Sequence, residues 1–328
     1  MSLQAFALRF YLRHWFKRRL DPNAPVSALR ANVDDLARGL PKPPSGVTVT
    51  PSNAGGVPVE WVAVPGADER RVLLHFHGGG YASGSPASVR DLAWRLSQAA
   101  RCRVLVVDYR LAPEHPFPAA IEDAASVYNH LLSSGFAPSA IAFTGDSAGG
   151  GLALGSLVKL RDDGAPMPAA ACCFSPWTDL AFTGGTFTTN RDIDPMVLAD
   201  ALPQTAAWYL GSASATNPYA SPLYADVRGL PPTLLHAGST EVLLDDSRRL
   251  AEKMKSANVE VELRVWPDMP HVFQGCASFL PEARTALAEA GRFLEDHMLG
   301  AEGRGDPLIH ARERTVPLEC EVPSRVRT

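Results

Sequence analysis

A chain of 328 residues with 46% hydrophobic content can bury a large core, and one α/β domain with embellishments accounts for that length. Its formal net charge of −4 lacks the basic footprint of a nucleic-acid-binding protein, so no nucleic-acid partner is expected. Five cysteines, Cys102, Cys172, Cys173, Cys276 and Cys320, are odd in number and show no Cys-x-x-Cys or Cys/His ligand spacing. They argue against a disulfide framework or a zinc site and fit a reducing cytoplasm, the expected location. No apolar run reaches the roughly 18 residues that span a bilayer, and no integral membrane segment is expected.

Phe6 to Arg19 reads as an amphipathic helix, interrupted by Arg9 and Arg13 and lacking the small-residue cleavage site of a signal peptide. Its apolar face is expected to pack on the protein's own body, although its basic and aromatic character also suits a membrane surface. A second helix is expected over Val26 to Leu40, ended by Pro41-Lys42-Pro43-Pro44. Residues 1–46 therefore form a helical N-terminal segment, expected to act as a cap. Val47 to Thr50 and Val57 to Val64, separated by Asn53-Ala54-Gly55-Gly56, read as an antiparallel pair.

From there strand and helix alternate. Strands are expected at Arg71 to Phe76, Arg103 to Val107, Ala140 to Thr144, Ala169 to Phe174, Thr233 to Ala237 and Val259 to Trp266. Helices are expected at Ala87 to Ala100, Ala119 to Ser134, Gly151 to Asp162, Asp246 to Ala257 and Glu282 to Leu299. Several strands are continuous apolar runs, as in parallel strands covered on both faces. The fold class is α/β, a doubly wound and mostly parallel central sheet flanked by helices. The rhythm breaks between residues 181 and 222, where Met196 to Leu210 reads as a helix without a following strand. This stretch is expected to be an insertion above the sheet that meets the two N-terminal helices as a lid. Residues 300–328, rich in Gly, Arg, Glu and Pro, are expected to be extended or mobile.

The chemistry centres on Gly145-Asp146-Ser147-Ala148-Gly149, between an apolar strand and a helix. A serine with glycine two positions either side, on a strand-to-helix turn, fits a strained nucleophile turn where a Cβ at Gly145 or Gly149 has no room. A serine hydroxyl needs a base, and the base needs an orienting acid. In folds with such a turn these follow the nucleophile as acid then histidine, each on a loop after a later strand. Of nine histidines, His271 alone is downstream of Ser147 in a loop that follows a strand. For the acid, Glu241 comes first after the strand Thr233 to Ala237, while Asp245 and Asp246 suit the N-cap and first turn of a helix. His77-Gly78-Gly79-Gly80 ends the strand Arg71 to Phe76. Two of Gly78, Gly79 and Gly80, with the N–H of Ala148, are expected to donate to an oxyanion. A metal site at His75 and His77 is a competing reading that lacks a third ligand.

These segments, with Asp108-Tyr109-Arg110-Leu111-Ala112-Pro113-Glu114-His115-Pro116-Phe117-Pro118-Ala119-Ala120, resemble the hormone-sensitive-lipase-like family of α/β-hydrolases, the bacterial carboxylesterases with an N-terminal cap. The resemblance runs from Val47 to Leu299 and matches the two leading helices more loosely. Where the family has an aspartate before Pro-Leu, this chain has Glu241-Val242-Leu243-Leu244-Asp245-Asp246, which puts Glu241 on the acid. The resemblance implies a serine carboxylesterase acting on short- to medium-chain acyl esters, with Ser147, Glu241 and His271 as triad and no metal or organic cofactor. It also implies a small-molecule ester substrate, a loop-anchoring role for Glu114 and a homodimer through the last strand and helix. Asp146 is expected to be a hydrogen-bonding brace. An amidase, deacetylase or lactonase would use the same residues, and a receptor that binds a small ligand without catalysis is the reading from a different class.

Overall fold

The computed structural model describes residues 1–299. Its strands are β1 (Thr48–Ala54), β2 (Val57–Ala63), β3 (Asp68–Phe76), β4 (Cys102–Val107), β5 (Ile141–Asp146), β6 (Ala170–Phe174), β7 (Thr233–Gly238) and β8 (Val261–Trp266). They form one sheet in the order β1-β2-β4-β3-β5-β6-β7-β8. β2 runs antiparallel to both its neighbours, β1 and β4; a tight turn at Gly55-Gly56 folds it back on β1 and pairs Ala54 with Val57. From β3 on, each connection between successive strands passes through a helix, so β4, β3, β5, β6, β7 and β8 pair in parallel along the sheet.

The helices are α1 (Leu3–Tyr11), α2 (Val26–Gly39), α3 (Arg90–Ala100), α4 (Ala119–Ser133), α5 (Ala148–Asp162), α6 (Thr186–Thr189), α7 (Leu202–Leu210), α8 (Leu244–Ser256) and α9 (Pro281–Leu299). Side chains alternate across the sheet, which splits the core into two layers. Val72, Leu74, Ile141 and Phe143 pack against α4, α5 and α8; Leu73, Val104, Ala142 and Cys172 pack against α1, α3 and α9. Both faces of the central strands are therefore covered, which is why β5 and β6 are buried at every position. Cys172 and Cys173 fall one in each layer, and burial pushes both thiols up, away from a reactive thiolate.

Three elements depart from the reading of the sequence. Helix α5 starts at Ala148, directly after Ser147, rather than at Gly151. Glycines depress helix propensity, but here they let the helix start dock: a Cβ added to Gly149 would lie 2.0 Å from the Phe76 carbonyl oxygen. The helix expected from Met196 begins only at a 3-10 turn, Ala199–Ala201, and becomes α7 at Leu202. The N–H groups of Met196 and Val197 are instead taken by Asp194 Oδ1, each at 2.9 Å. Helix α8 starts at Leu244, so Asp245 and Asp246 lie in its first turn and neither is its N-cap.

The N-terminal segment is pinned at several points. Ala5, Leu8 and Leu12 are buried, and Ser2 donates its N–H and hydroxyl to Glu282 at 2.7 and 2.9 Å. Arg9 pairs with Asp268 at 2.7 Å, and Lys17 donates to the carbonyls of Asp194 and Arg191. Beyond Tyr11 the helix passes through a π turn, Leu12–Phe16, into a 3-10 turn, Lys17–Arg19. Among the described residues no helix is long and apolar enough to cross a membrane. The tail expected to be extended, 300–328, lies outside the described residues.

Candidate active site

Ser147 stands between β5 and α5 with φ 54° and ψ −122°, a conformation that a residue with a side chain adopts only when its surroundings impose it. Its N–H donates to the Phe174 carbonyl at 2.8 Å, and its own carbonyl accepts from Gly151 and Trp177 at 3.1 and 3.0 Å. These bonds hold the hydroxyl 2.8 Å from His271 Nε2. On the other side of the ring, His271 Nδ1 lies 2.8 Å from Glu241 Oε2. An ionised carboxylate only accepts hydrogen bonds, so Nδ1 carries the proton and, in the neutral ring, Nε2 accepts from the Ser147 hydroxyl.

Glu241 is fully buried, and its other oxygen accepts from the Ser175 hydroxyl at 2.7 Å and from the Gly238 N–H. Both carboxylate oxygens are thus hydrogen-bonded, which is what a buried carboxylate requires. The ring of His271 is buried as well. Burial alone would lower its pKa, but the hydrogen bond and charge of Glu241, with the charges of Asp194 and Asp146, outweigh it and hold the imidazole above its ordinary value of 6.5. If neutral His271 is the working base, activity must rise with pH as the ring loses its proton. The acid limb of kcat/KM on a soluble ester is therefore expected above 6.5, and Glu241→Gln is expected to move it downward. A limb at or below the ordinary imidazole value in the wild type would contradict this electrostatic balance.

The glycine run follows β3 and closes on the same point. A Cβ added to Gly78 would meet Asp146 Oδ2 at 2.4 Å and Ser147 Cβ at 3.2 Å, which places this loop against the serine. Gly79 has φ +122°, and a Cβ there would lie 2.2 Å from the Ser83 carbonyl oxygen, so only glycine fits. Among the described residues no protein acceptor takes the N–H of Gly78, Gly79, Gly80 or Ala148. Thr205 of α7 sits over Gly80, its Cγ2 only 2.5 Å from where a Cβ would be, so the insertion covers the loop.

The acidic neighbours divide their work differently from the reading of the sequence. Asp246 Oδ2 accepts the N–H groups of Thr178 and Asp179 at 2.7 and 2.8 Å, and burial pushes its pKa up to about 8. Asp245 accepts from the Thr186 N–H at 3.0 Å. Both carboxylates brace the 178–186 loop instead of their own helix end. Asp146 makes only a long contact, 3.4 Å to His75 Nε2, in place of the expected hydrogen-bonding brace. Glu114 anchors the N-terminal segment: Arg30 of α2 reaches it at 2.5 Å while donating to the carbonyls of Ala82 and Ala112. His75 Nδ1 lies 2.9 Å from Thr144 Oγ1. His77 stacks on Tyr109 with ring centroids 4.3 Å apart, and burial lowers its pKa to about 4. Among the described residues no group of three or more His, Cys, Asp or Glu could hold a metal ion.

Two positioning groups were not found from sequence. Ser175, with φ 52°, donates to Glu241 and accepts the Val272 N–H at 3.0 Å, tying Glu241 to the loop of His271. Asp194 in the insertion is buried and accepts the Val242 N–H at 2.9 Å, next to the acid. The only available signal was a small polar residue at the carboxyl end of β6, and for Asp194 there was none.

A model of the alpha/beta hydrolase fold matches residues 73–275, a span containing Gly78, Ser147, Glu241 and His271. A crystal structure of an esterase from the bacterial hormone-sensitive lipase family superposes with a TM-score of 0.86 at 43% identity, covering 91% of this chain and 99% of that one. The chain belongs to the bacterial hormone-sensitive-lipase family. As a member of this family of α/β-hydrolases it is a serine esterase, a carboxylic ester hydrolase. Among curated members of the family, an acetyl-hydrolase of Streptomyces hygroscopicus is 45% identical over 251 residues, 76% of this chain and 83% of that protein. An esterase of Acinetobacter venetianus is 37% identical over 272 residues, 83% and 89% of the two chains.

Proposed function

We propose that Ser147 is the nucleophile, His271 the general base and Glu241 the orienting acid of a carboxylesterase acting on short- to medium-chain acyl esters. The observation that carries this reading is the unbroken relay of two 2.8 Å hydrogen bonds from Ser147 Oγ through His271 to Glu241. Ser147 Oγ attacks the ester carbonyl as Nε2 takes its proton. The oxyanion rests on the N–H groups of Gly79, of one of its neighbours Gly78 and Gly80, and of Ala148, all of which lack a protein acceptor among the described residues. The tetrahedral intermediate collapses as His271 passes the proton to the leaving alcohol, leaving the acyl group on Ser147. Water then attacks by the same route and releases the acid and the free serine. Glu241 keeps the proton on Nδ1 and stabilises the imidazolium without accepting the proton.

The short acyl range is supported by Thr205 over the glycine loop and by the name of the acetyl-hydrolase relative. In this reading residues 1–46 and the insertion of 181–222 together form a cap over the site. The four described cysteines are free thiols, which supports a reducing cytoplasm. β8 pairs on one side only, leaving an edge through which a homodimer could add a second sheet. The test is a comparison of p-nitrophenyl esters from acetyl to dodecanoyl with the matching p-nitroanilides. Turnover is expected to peak at the shorter esters and to fall sharply for every anilide. Anilides cleaved as fast as the esters would assign the site to an amidase.

A further inference from the structure

Helix α1 presents two apolar faces, and among the described residues only one has a partner. Ala5, Leu8 and Leu12 are buried against the body. On the opposite face, Leu3, Phe6 and Phe10 recur at the i, i+3, i+7 spacing of one helical stripe and are 81, 61 and 54% exposed. Ile193 of the insertion faces Phe6 and Phe10 across a shallow hollow, and Trp15, in the π turn beyond α1, is a further exposed aromatic at 57%. Contiguous exposed apolar side chains of this size mark an interaction surface rather than scattered surface residues.

The charge around the patch points to its partner. The first twenty residues hold five cations, Arg9, Arg13, Lys17, Arg18 and Arg19, and no Asp or Glu, in a chain whose net charge is −4. Arg9 is spent on Asp268 and Lys17 on backbone carbonyls, whereas Arg13, Arg18 and Arg19 are exposed and make no salt bridge among the described residues. Aromatic and aliphatic side chains bordered by such cations match the headgroup region of an anionic bilayer, where the apolar groups enter the acyl boundary and the guanidinium groups meet phosphates. A second copy of the same face would bring like charges together. Residues 300–328 carry as many Arg as Asp and Glu residues, so they offer no net negative charge to neutralise it.

We propose that the outer face of α1 and of the two turns that follow it, from Leu3 to Arg19, docks the protein on anionic lipid surfaces. Arg9 with Asp268, and Lys17 with the Asp194 carbonyl, link this face directly to the loops around His271 and Glu241. Docking would therefore bring the site to the membrane surface, where apolar esters concentrate.

The test is co-sedimentation of the full chain with vesicles of phosphatidylglycerol and phosphatidylcholine, and with vesicles of phosphatidylcholine alone. Binding is expected to the anionic vesicles only, and to be weakened in 1 M salt, where the screening length shrinks to about 3 Å. Combined Arg13→Ala, Arg18→Ala and Arg19→Ala is expected to weaken binding by on the order of tenfold or more. Phe6→Ser with Phe10→Ser is expected to abolish it, with the melting temperature of both variants near that of the wild type. Should the Phe variant unfold, the arginine variant, whose side chains make no salt bridge, still decides the matter. Equal binding to uncharged vesicles, no binding to either kind, or wild-type binding by the arginine variant would overturn the proposal. So would a concentration-dependent dimer that Phe6→Ser with Phe10→Ser dissolves, which would assign the face to a second copy.

Discussion

Ser147→Ala is expected to reduce kcat on p-nitrophenyl butyrate by on the order of 10⁴- to 10⁶-fold, with the fold retained. In the proposed mechanism the nucleophile is lost outright, since no other hydroxyl stands within hydrogen-bond distance of His271 Nε2 among the described residues. The fold survives because the turn is held by backbone bonds, from the Ser147 N–H to Phe174 and from Gly151 and Trp177 to the Ser147 carbonyl. The residual rate would come from substrate binding and the oxyanion donors. Circular dichroism and melting temperature, measured beside kcat, check both halves of the expectation. A folded variant with wild-type turnover would remove Ser147 from the mechanism.

The second large effect is expected at Glu241. Glu241→Ala should lower kcat on the order of 10³- to 10⁴-fold, because His271 loses both the partner that fixes its tautomer and the charge that stabilises its cation. Part of that change is structural: the variant leaves the Ser175 hydroxyl and the Gly238 N–H without their buried acceptor. Asp245→Ala is the necessary control. It deletes one partly buried hydrogen bond to Thr186 and should cost about 1–2 kcal/mol of stability with kcat nearly unchanged. Chemical denaturation with steady-state kinetics on both variants separates the two effects. A larger loss of kcat in Asp245→Ala than in Glu241→Ala would move the acid role along the loop.

The acid illustrates the limit of reading along the chain. Three carboxylates follow β7 within six residues, and a local argument could favour Glu241 only because helix starts attract aspartates. In the structure Asp245 and Asp246 do bind backbone N–H groups, but those of a loop some sixty residues away in sequence rather than those of their own helix. Electrostatic preference for N–H donors was correctly anticipated, while the identity of the donors depended on which loops the sheet order brings together.

The elements legible in sequence were those governed by short-range rules. Apolar runs located most of the parallel strands to within a few residues, because strands buried on both faces are made largely of apolar residues. Glycine marked the turn at Ser147 and the run at Gly78 to Gly80, because close backbone approach excludes a Cβ. The order of Ser147, Glu241 and His271 along those strand ends singled out three residues that lie within hydrogen-bond distance of one another in the structure. Tertiary structure alone decided what links them. Ser175 reaches Glu241 from 66 residues away, and Asp194 reaches the Val242 N–H from 48, across contacts that exist only once β5, β6 and β7 lie side by side. It also decided the orientation of α1. A helix with apolar side chains on two sides carries no local signal for which side will be buried, since that follows from the shape of the surface it packs against.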